Sequence, residues 1–157
     1  MIRFANPGSD INSFTRIFQV LHEELGAAPA FELDDISTAL VRRGLATSCG
    51  YTGAEALRRS SRTDRSRDPL YNQSKMYSEL FRLLGWMHPA GDGKLSLRTT
   101  WLGSHVAAAG PHAKPLVTEC VLGIAFPNHV VASQGDYRMR PFSLLLRTMA
   151  ALGGLLC

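Results

Sequence analysis

A run of arginines in residues 58–67 (RRSSRTDRSR) is the feature of this sequence that most directly suggests chemistry. The segment holds five arginines and one aspartate, so its charge of +4 equals the net charge of the whole chain. It has no apolar side chain that could pack into a core, and its like charges repel one another. We interpret it as a mobile arm that binds a phosphate backbone, or alternatively as a solvated surface loop. The candidate contacts are Arg58, Arg59, Arg62, Arg65 and Arg67.

A helix is predicted directly after this arginine-rich segment. Asp68 can accept hydrogen bonds from free backbone N–H groups, Pro69 suits the first helical position, and Gly85 would end the helix. The predicted apolar stripe consists of Leu70, Tyr77, Leu80, Phe81 and Leu84. The predicted exposed face carries Asn72, Gln73, Lys75, Ser78 and Arg82. Except for the serine, we take these exposed side chains as candidates for contacts with phosphates or base edges.

A metal-dependent nuclease site is the main enzymatic alternative, because Asp92-Gly93-Lys94 has an acid-x-lysine spacing. Cleavage of a phosphodiester bond would need a second carboxylate to hold Mg²⁺, for which Asp68 is a candidate. However, Asp92 falls in a predicted glycine turn, and Asp68 is explained as a helix cap. We therefore predict no catalytic residue, metal ligand or cofactor in this chain, and expect Lys94 at a hairpin tip that faces phosphate or solvent.

The other reactive side chains show no spacing that is typical of a site. The five histidines share no ligand pattern, and Cys49, Cys120 and Cys157 form no C-x-x-C pair. The sequence thus indicates neither a disulfide framework nor a zinc site, and a reducing, cytoplasmic setting fits best. No stretch approaches the roughly 18 consecutive apolar residues that a membrane span needs. The spacing of five aromatic residues indicates that they pack in the core rather than form a platform on which bases stack. They are Phe14, Phe18, Tyr77, Phe81 and Trp86.

Two helices are predicted before the arginine-rich segment. Asn12 or Ser13 can cap the first, whose apolar residues recur at helical spacing until about Leu25. Asp34 can cap the second, and Gly44 would end it. A further helical turn over residues 54–57 would lead into the arginines.

A β-hairpin is predicted after Gly85, where the hydrophobic period changes. The short apolar run 86–88 ends at a proline, and a glycine-rich turn follows at residues 90–93. Alternation after the turn predicts a strand with one buried face. Leu95, Leu97, Thr99 and Trp101 alternate there with Ser96, Arg98 and Thr100, before a helix over residues 102–108. Lys94 and Arg98 would contact the phosphate backbone from this hairpin.

The order of three helices and a hairpin predicts a mainly α, winged helix-turn-helix domain over residues 1–110. Residues 111–157 would form a linker and the first helix of a second unit. Helical runs are predicted there at residues 114–122 and 141–152, with a turn at 126–128. Because apolar residues follow Gly153-Gly154, we expect a fragment or a truncated reading frame whose second unit is absent.

Parts of the chain resemble a known enzyme family. Residues 68–85 (DPLYNQSKMYSELFRLLG), the hairpin and a Thr-x-Leu-Gly helix start at 100–103 resemble the N-terminal DNA-recognition region of type II restriction endonucleases. Residues 140–153 (RPFSLLLRTMAALG) are similar to a segment of AlwI-like enzymes. The resemblance implies a parent enzyme that cuts double-stranded DNA with Mg²⁺. Its carboxylate-rich nuclease core would lie after residue 157, so this chain would be the recognition half alone.

The leading functional hypothesis is therefore a module that binds double-stranded DNA without cleaving it. The helix that begins at Asp68 would approach the major groove, and the arginine-rich segment would hold phosphates or a minor groove. A homodimer is compatible with this interpretation. The alternatives are a winged-helix protein-interaction domain, a transcription-regulator-like module, and an inert remnant of a restriction gene.

Overall fold

Seven helices and a two-stranded antiparallel sheet make up the part of the chain that the computed structural model describes. That part comprises residues 10–46, 51, 53–60, 68–91, 96–128, 130 and 138–153. The helices are α1 (Ile11–Leu25), α2 (Leu33–Arg42), α3 (Gly53–Arg59), α4 (Pro69–Leu83), α5 (Trp101–Ala108), α6 (Lys114–Gly123) and α7 (Pro141–Ala151). The strands β1 (Met87–Pro89) and β2 (Leu97–Thr99) lie between α4 and α5. The predicted mainly helical architecture with a small hairpin is confirmed.

Helices α1 and α2 begin slightly earlier than predicted. The Asp10 carboxylate accepts hydrogen bonds from the backbone N–H groups of Asn12 and Ser13, at 3.0 and 3.2 Å. The two predicted caps therefore lie in the first turn of α1. In α2 the predicted cap Asp34 is also inside the first turn, because the Asp35 carboxylate accepts the N–H of the residue before the helix at 2.7 Å.

Helix α4 begins and ends as its sequence predicts. Asp68 Oδ1 accepts the backbone N–H groups of Leu70 and Tyr71, at 2.9 and 3.4 Å, and Pro69 occupies the first helical position. Gly85 follows the helix with a φ of +76°, a left-handed conformation that glycine adopts without a steric penalty. These signals are local in sequence, so they determine the start and end of the helix directly.

The hairpin is extended by a third segment from the connection between α1 and α2. Met87 pairs with Thr99, and Pro89 pairs with Leu97. Phe31 exchanges two backbone hydrogen bonds with Leu97 on the other edge of β2, at 2.9 and 2.8 Å. The hairpin is thereby attached to the segment that precedes α2.

Trp101 lies in a helix rather than in the predicted strand. Thr100 caps α5, because its Oγ1 accepts the backbone N–H of Gly103 at 2.9 Å. The alternation of the strand therefore stops at Thr99, and 76% of Trp101 is exposed to solvent. The prediction that the strand continues to Trp101 is wrong.

Three aromatic rings form the centre of the core. Phe18, Phe81 and Trp86 are fully buried, and their ring centroids lie 4.9 to 5.5 Å apart. Tyr77 and Phe14 contact this cluster from either side. The predicted assignment of these five aromatics to the core is confirmed, with Phe14 only partly buried.

The last two helices also match the predicted runs. Val117 and Ile124 bring α6 into the core, whereas no side chain of α7 is buried. The Ser143 hydroxyl of α7 donates to the Leu122 carbonyl at 3.2 Å. The division into units at residue 110 stays a prediction. None of the described helices combines the length and the hydropathy that crossing a bilayer requires.

Candidate nucleic-acid interface

The first two arginines of the arginine-rich segment belong to the last turn of α3. Both guanidinium groups pair with the Glu55 carboxylate, three residues before Arg58 and four before Arg59. The Arg59 guanidinium carbon also lies 3.9 Å from the centre of the Tyr51 ring, a cation–π geometry. The expectation that these two residues form part of an arm is therefore corrected. Ion pairing within the helix favours the helical conformation and partly neutralises their charge.

The end of α3 is joined to the start of α4. The Ser60 hydroxyl donates to the Asp68 carboxylate, which also caps α4. Asp68 is buried although its residue type is usually exposed, because these bonds satisfy its oxygens. Ser60 and Asp68, the described residues on either side of Arg62, Arg65 and Arg67, therefore lie together at the N-terminus of α4. Those three predicted contacts lie outside the described residues.

Lys75 is the one side chain of the predicted polar face of α4 that is exposed rather than half-buried or buried. Lys75 is 56% exposed, and its Nζ lies 3.9 Å from the Glu79 carboxylate. Asn72 and Gln73 are half-buried. A lysine at this distance from a glutamate on a helix surface is screened by solvent and remains available to an anion.

The other end of that face packs inward, contrary to the prediction. Ser78 is buried, and Arg82 is half-buried with an Nε atom that has no hydrogen-bond partner among the described residues. The reason is that α4 packs on α2 with a polar contact at the interface, where the Ser37 and Ser74 hydroxyls lie 2.7 Å apart. Polar side chains thus occur on both faces of α4, and polarity alone does not identify the exposed one.

The hairpin presents one described cation. Arg98 is exposed on β2, and its Nε donates to Nε2 of the cross-strand His88 at 2.6 Å. Accepting this bond requires the His88 tautomer that carries its proton on Nδ1. The pair fixes the guanidinium group on the outer surface of the hairpin. Lys94, the other predicted hairpin contact, lies outside the described residues.

An exposed aromatic pair beside the hairpin was missed by the sequence interpretation. The rings of Trp101 and His105, one turn apart on α5, have centroids 3.9 Å apart. Trp101 follows β2 by two residues, so this indole lies close in sequence to Arg98. The signal that could have found it is Thr100, a favoured cap residue that ends the strand before Trp101.

A separate charged cluster joins the ends of α1 and α2. The Glu24 carboxylate accepts from Arg43 Nε at 2.7 Å and from Arg42 Nη1 at 3.0 Å. The hydrogen bond from Arg43 is the main cause that lowers the pKa of Glu24 below its ordinary value of 4.5. These arginines pair with a carboxylate of the same chain, so we do not count them among candidate DNA contacts.

Nothing in the described part of the chain forms a group of three or more metal-ligating side chains. Asp68, considered above as a partner in a nuclease site, is occupied as the cap of α4. The acid-x-lysine sequence at residues 92–94 lies outside the described residues. The described residues offer cationic and aromatic contacts.

Comparison with known proteins assigns no family to the chain. No protein-family model, curated protein or solved structure matches it. The resemblance to restriction endonucleases therefore stays a prediction from the sequence.

Proposed function

We propose that this chain is a DNA-binding module of the winged-helix type that binds duplex DNA mainly through its phosphates. The order of α1, an extended residue at Phe31, α2, α4 and the hairpin supports the proposal. In a winged helix, a hairpin adjoins the helix that approaches DNA, and α4 leads directly into β1 here. The additional helix α3 lies between α2 and α4.

The observation that carries the proposal is the bond between Ser60 and Asp68. It brings together Ser60 and Asp68, the described residues on either side of Arg62, Arg65 and Arg67, at the N-terminus of α4. The positive charge that the sequence concentrates between these two residues is suited to phosphate groups. Arg62, Arg65 and Arg67 are the proposed main contacts, with Lys94 and Arg98 on the hairpin.

The described contacts of α4 favour weak sequence selectivity. Lys75 can reach a phosphate, whereas Asn72, Gln73 and Arg82 are half-buried and have less freedom to read base edges. Phosphate contacts position a protein on DNA without reading its sequence. We therefore propose that affinity depends strongly on salt and only slightly on base sequence.

The recognition half of an AlwI-like restriction endonuclease remains our proposal for the origin of the chain. It is supported by the residues quoted above from 68–85, 100–103 and 140–153. Any cleavage, with Mg²⁺ as the metal, would belong to a separate nuclease domain of such an enzyme. The function proposed for this chain is binding.

Anisotropy of a labelled duplex, measured at low and at raised salt, tests the proposal. We expect binding at low salt that weakens as salt rises. Arg98→Ala should reduce the slope of log K against log salt by about 0.9 if this guanidinium contacts one phosphate. Arg16→Ala, an exposed arginine on α1, serves as the matched control and should leave the slope unchanged. No measurable affinity at low salt would favour the protein-interaction alternative.

A further inference from the structure

Helix α7 exposes apolar side chains that the described part of the chain leaves open to solvent. Leu144, Leu145 and Leu146 are each about half exposed, at 53%, 51% and 51%, as is Leu152 just after the helix, at 49%. Scattered single leucines on a surface are ordinary, whereas Leu144, Leu145 and Leu146 expose leucine on successive sides of one short helix.

An open apolar groove lies beside α6 in the same chain. Its volume is about 510 Å³. Leu83, Leu102 and Leu116 are among the residues that line it, together with the exposed carboxylate of Glu119. Residues 116, 119, 120 and 123 recur at the spacing of one helix face, so a single face of α6 forms one wall. No described residue of α7 lines the groove.

The charges of the two surfaces are complementary. On α7, Arg147 is exposed and follows Leu144 by three residues, so both lie on the same side of the helix. On α6, Glu119 follows Leu116 by the same interval. Neither Arg147 nor Glu119 has an ion-pair partner among the described residues. The surface of α7 thus combines leucines with a positive charge, and the groove beside α6 combines leucines with a negative charge.

We propose that two copies of this chain form a symmetric dimer in which each α7 occupies the α6 groove of the other copy. Arg147 of each copy then faces Glu119 of the other copy, so the dimer contains two such ion pairs. A second copy is the occupant that fits because the cation beside the exposed leucines of α7 complements the anion beside the leucines of the groove, and a two-fold axis repeats this contact. Within one chain, α7 contacts α6 through the bond from Ser143 to the Leu122 carbonyl, and no described residue of α7 lines the groove.

Charge reversal gives a direct test by sedimentation equilibrium of the full chain. Arg147→Glu and Glu119→Arg each place two like-charged pairs in the homodimer, and each should raise the dimer dissociation constant about tenfold or more. The double variant, Arg147→Glu with Glu119→Arg, restores both attractive pairs and should dimerise like the wild type. A mixture of the two single variants should form a heterodimer in which both pairs are again attractive.

The control is Arg16→Glu, a reversal on α1 outside the groove, which should leave the dissociation constant unchanged. All the altered side chains are exposed, and circular dichroism verifies that each variant is folded. A wild type that stays monomeric at high concentration overturns the proposal, as does a double variant that dimerises no better than the single ones. The proposal is independent of DNA binding, because a monomeric chain could still bind DNA and a dimer could lack this activity.

Discussion

Replacing Gly103 by alanine should destabilise the fold, although Gly103 lies within a helix. In an exposed helix interior, glycine to alanine stabilises by about 1 kcal/mol. Here a Cβ atom at position 103 would lie 2.3 Å from the carbonyl oxygen of Trp86 and 2.9 Å from Cζ of Phe18. The nearest of these atoms is backbone, so it cannot move away as the end of a flexible side chain could. Helix α5 must then shift away from the buried aromatic cluster.

The expected magnitude follows from the balance of these two effects. Overpacking of a close-packed core costs about 1–3 kcal/mol. A shift of α5 would also weaken the contacts of Val106, which is fully buried on the same helix. Because these costs exceed the gain in helix propensity, we expect a net loss of about 1–2 kcal/mol in the free energy of unfolding. For a chain of this size, that corresponds to a decrease in Tm of roughly 2–8 °C.

Urea denaturation followed by circular dichroism measures the change. Gly123→Ala is the matched control, since Gly123 also lies in a helix, at the end of α6, and a Cβ there would meet no atom within 4 Å. It should be neutral or slightly stabilising. If Gly103→Ala proves as stable as the wild type or more stable, the close packing of α5 against Trp86 is refuted.

Three further predictions concern a helix cap, a carboxylate and an exposed aromatic. Asp68→Ala removes the cap of α4 and should lower the free energy of unfolding in urea by about 1 kcal/mol, whereas Asp68→Asn should retain most of it; equal losses for both variants would contradict the capping role. Arg43→Ala should lower stability at neutral pH because the folded-state pKa of Glu24 is depressed by that arginine. The stabilisation by the Glu24–Arg43 ion pair is present above pH 4.5 and is lost as the pH falls through the lower folded-state pKa of Glu24. The urea stabilities of the wild type and Arg43→Ala should therefore converge in acid. A constant difference between them at all pH values would count against the ion pair. Iodide should quench the fluorescence of the exposed Trp101 but not that of the fully buried Trp86. Trp101→Phe should therefore remove most of the quenchable fluorescence. Quenching that persists in this variant would show that the exposures of the two tryptophans are wrong.

Local signals in the sequence predicted the elements of this fold well. Asp68 and Pro69 begin α4 as predicted because capping depends on neighbouring residues alone. The aromatic core residues were likewise predicted from helical spacing, since burial follows the helical period. The caps of α1 and α2 were wrong by one or more residues because several acceptors compete near each helix start.

The errors in the candidate site arose where tertiary packing decides exposure. Ser78 and Arg82 were expected on an open face of α4, but α2 packs there and a buried hydroxyl pair makes part of the contact. Arg58 was expected in an arm, yet Glu55 stabilises it within α3. Trp101 was expected in the strand because the alternation of residue types in the sequence continues past Thr100. In each case the polarity pattern was compatible with two environments, and only contacts between distant residues distinguish them.

The salt dependence of duplex binding by a triple variant tests the proposed function most directly. Arg62, Arg65 and Arg67 would be replaced together by alanine, with Arg98 left intact. If the arginine-rich segment contacts three phosphates, the slope of log K against log salt should become shallower by about 2.7, for duplexes of any sequence. An unchanged slope, or a wild type with no affinity for DNA at low salt, would contradict the proposed function.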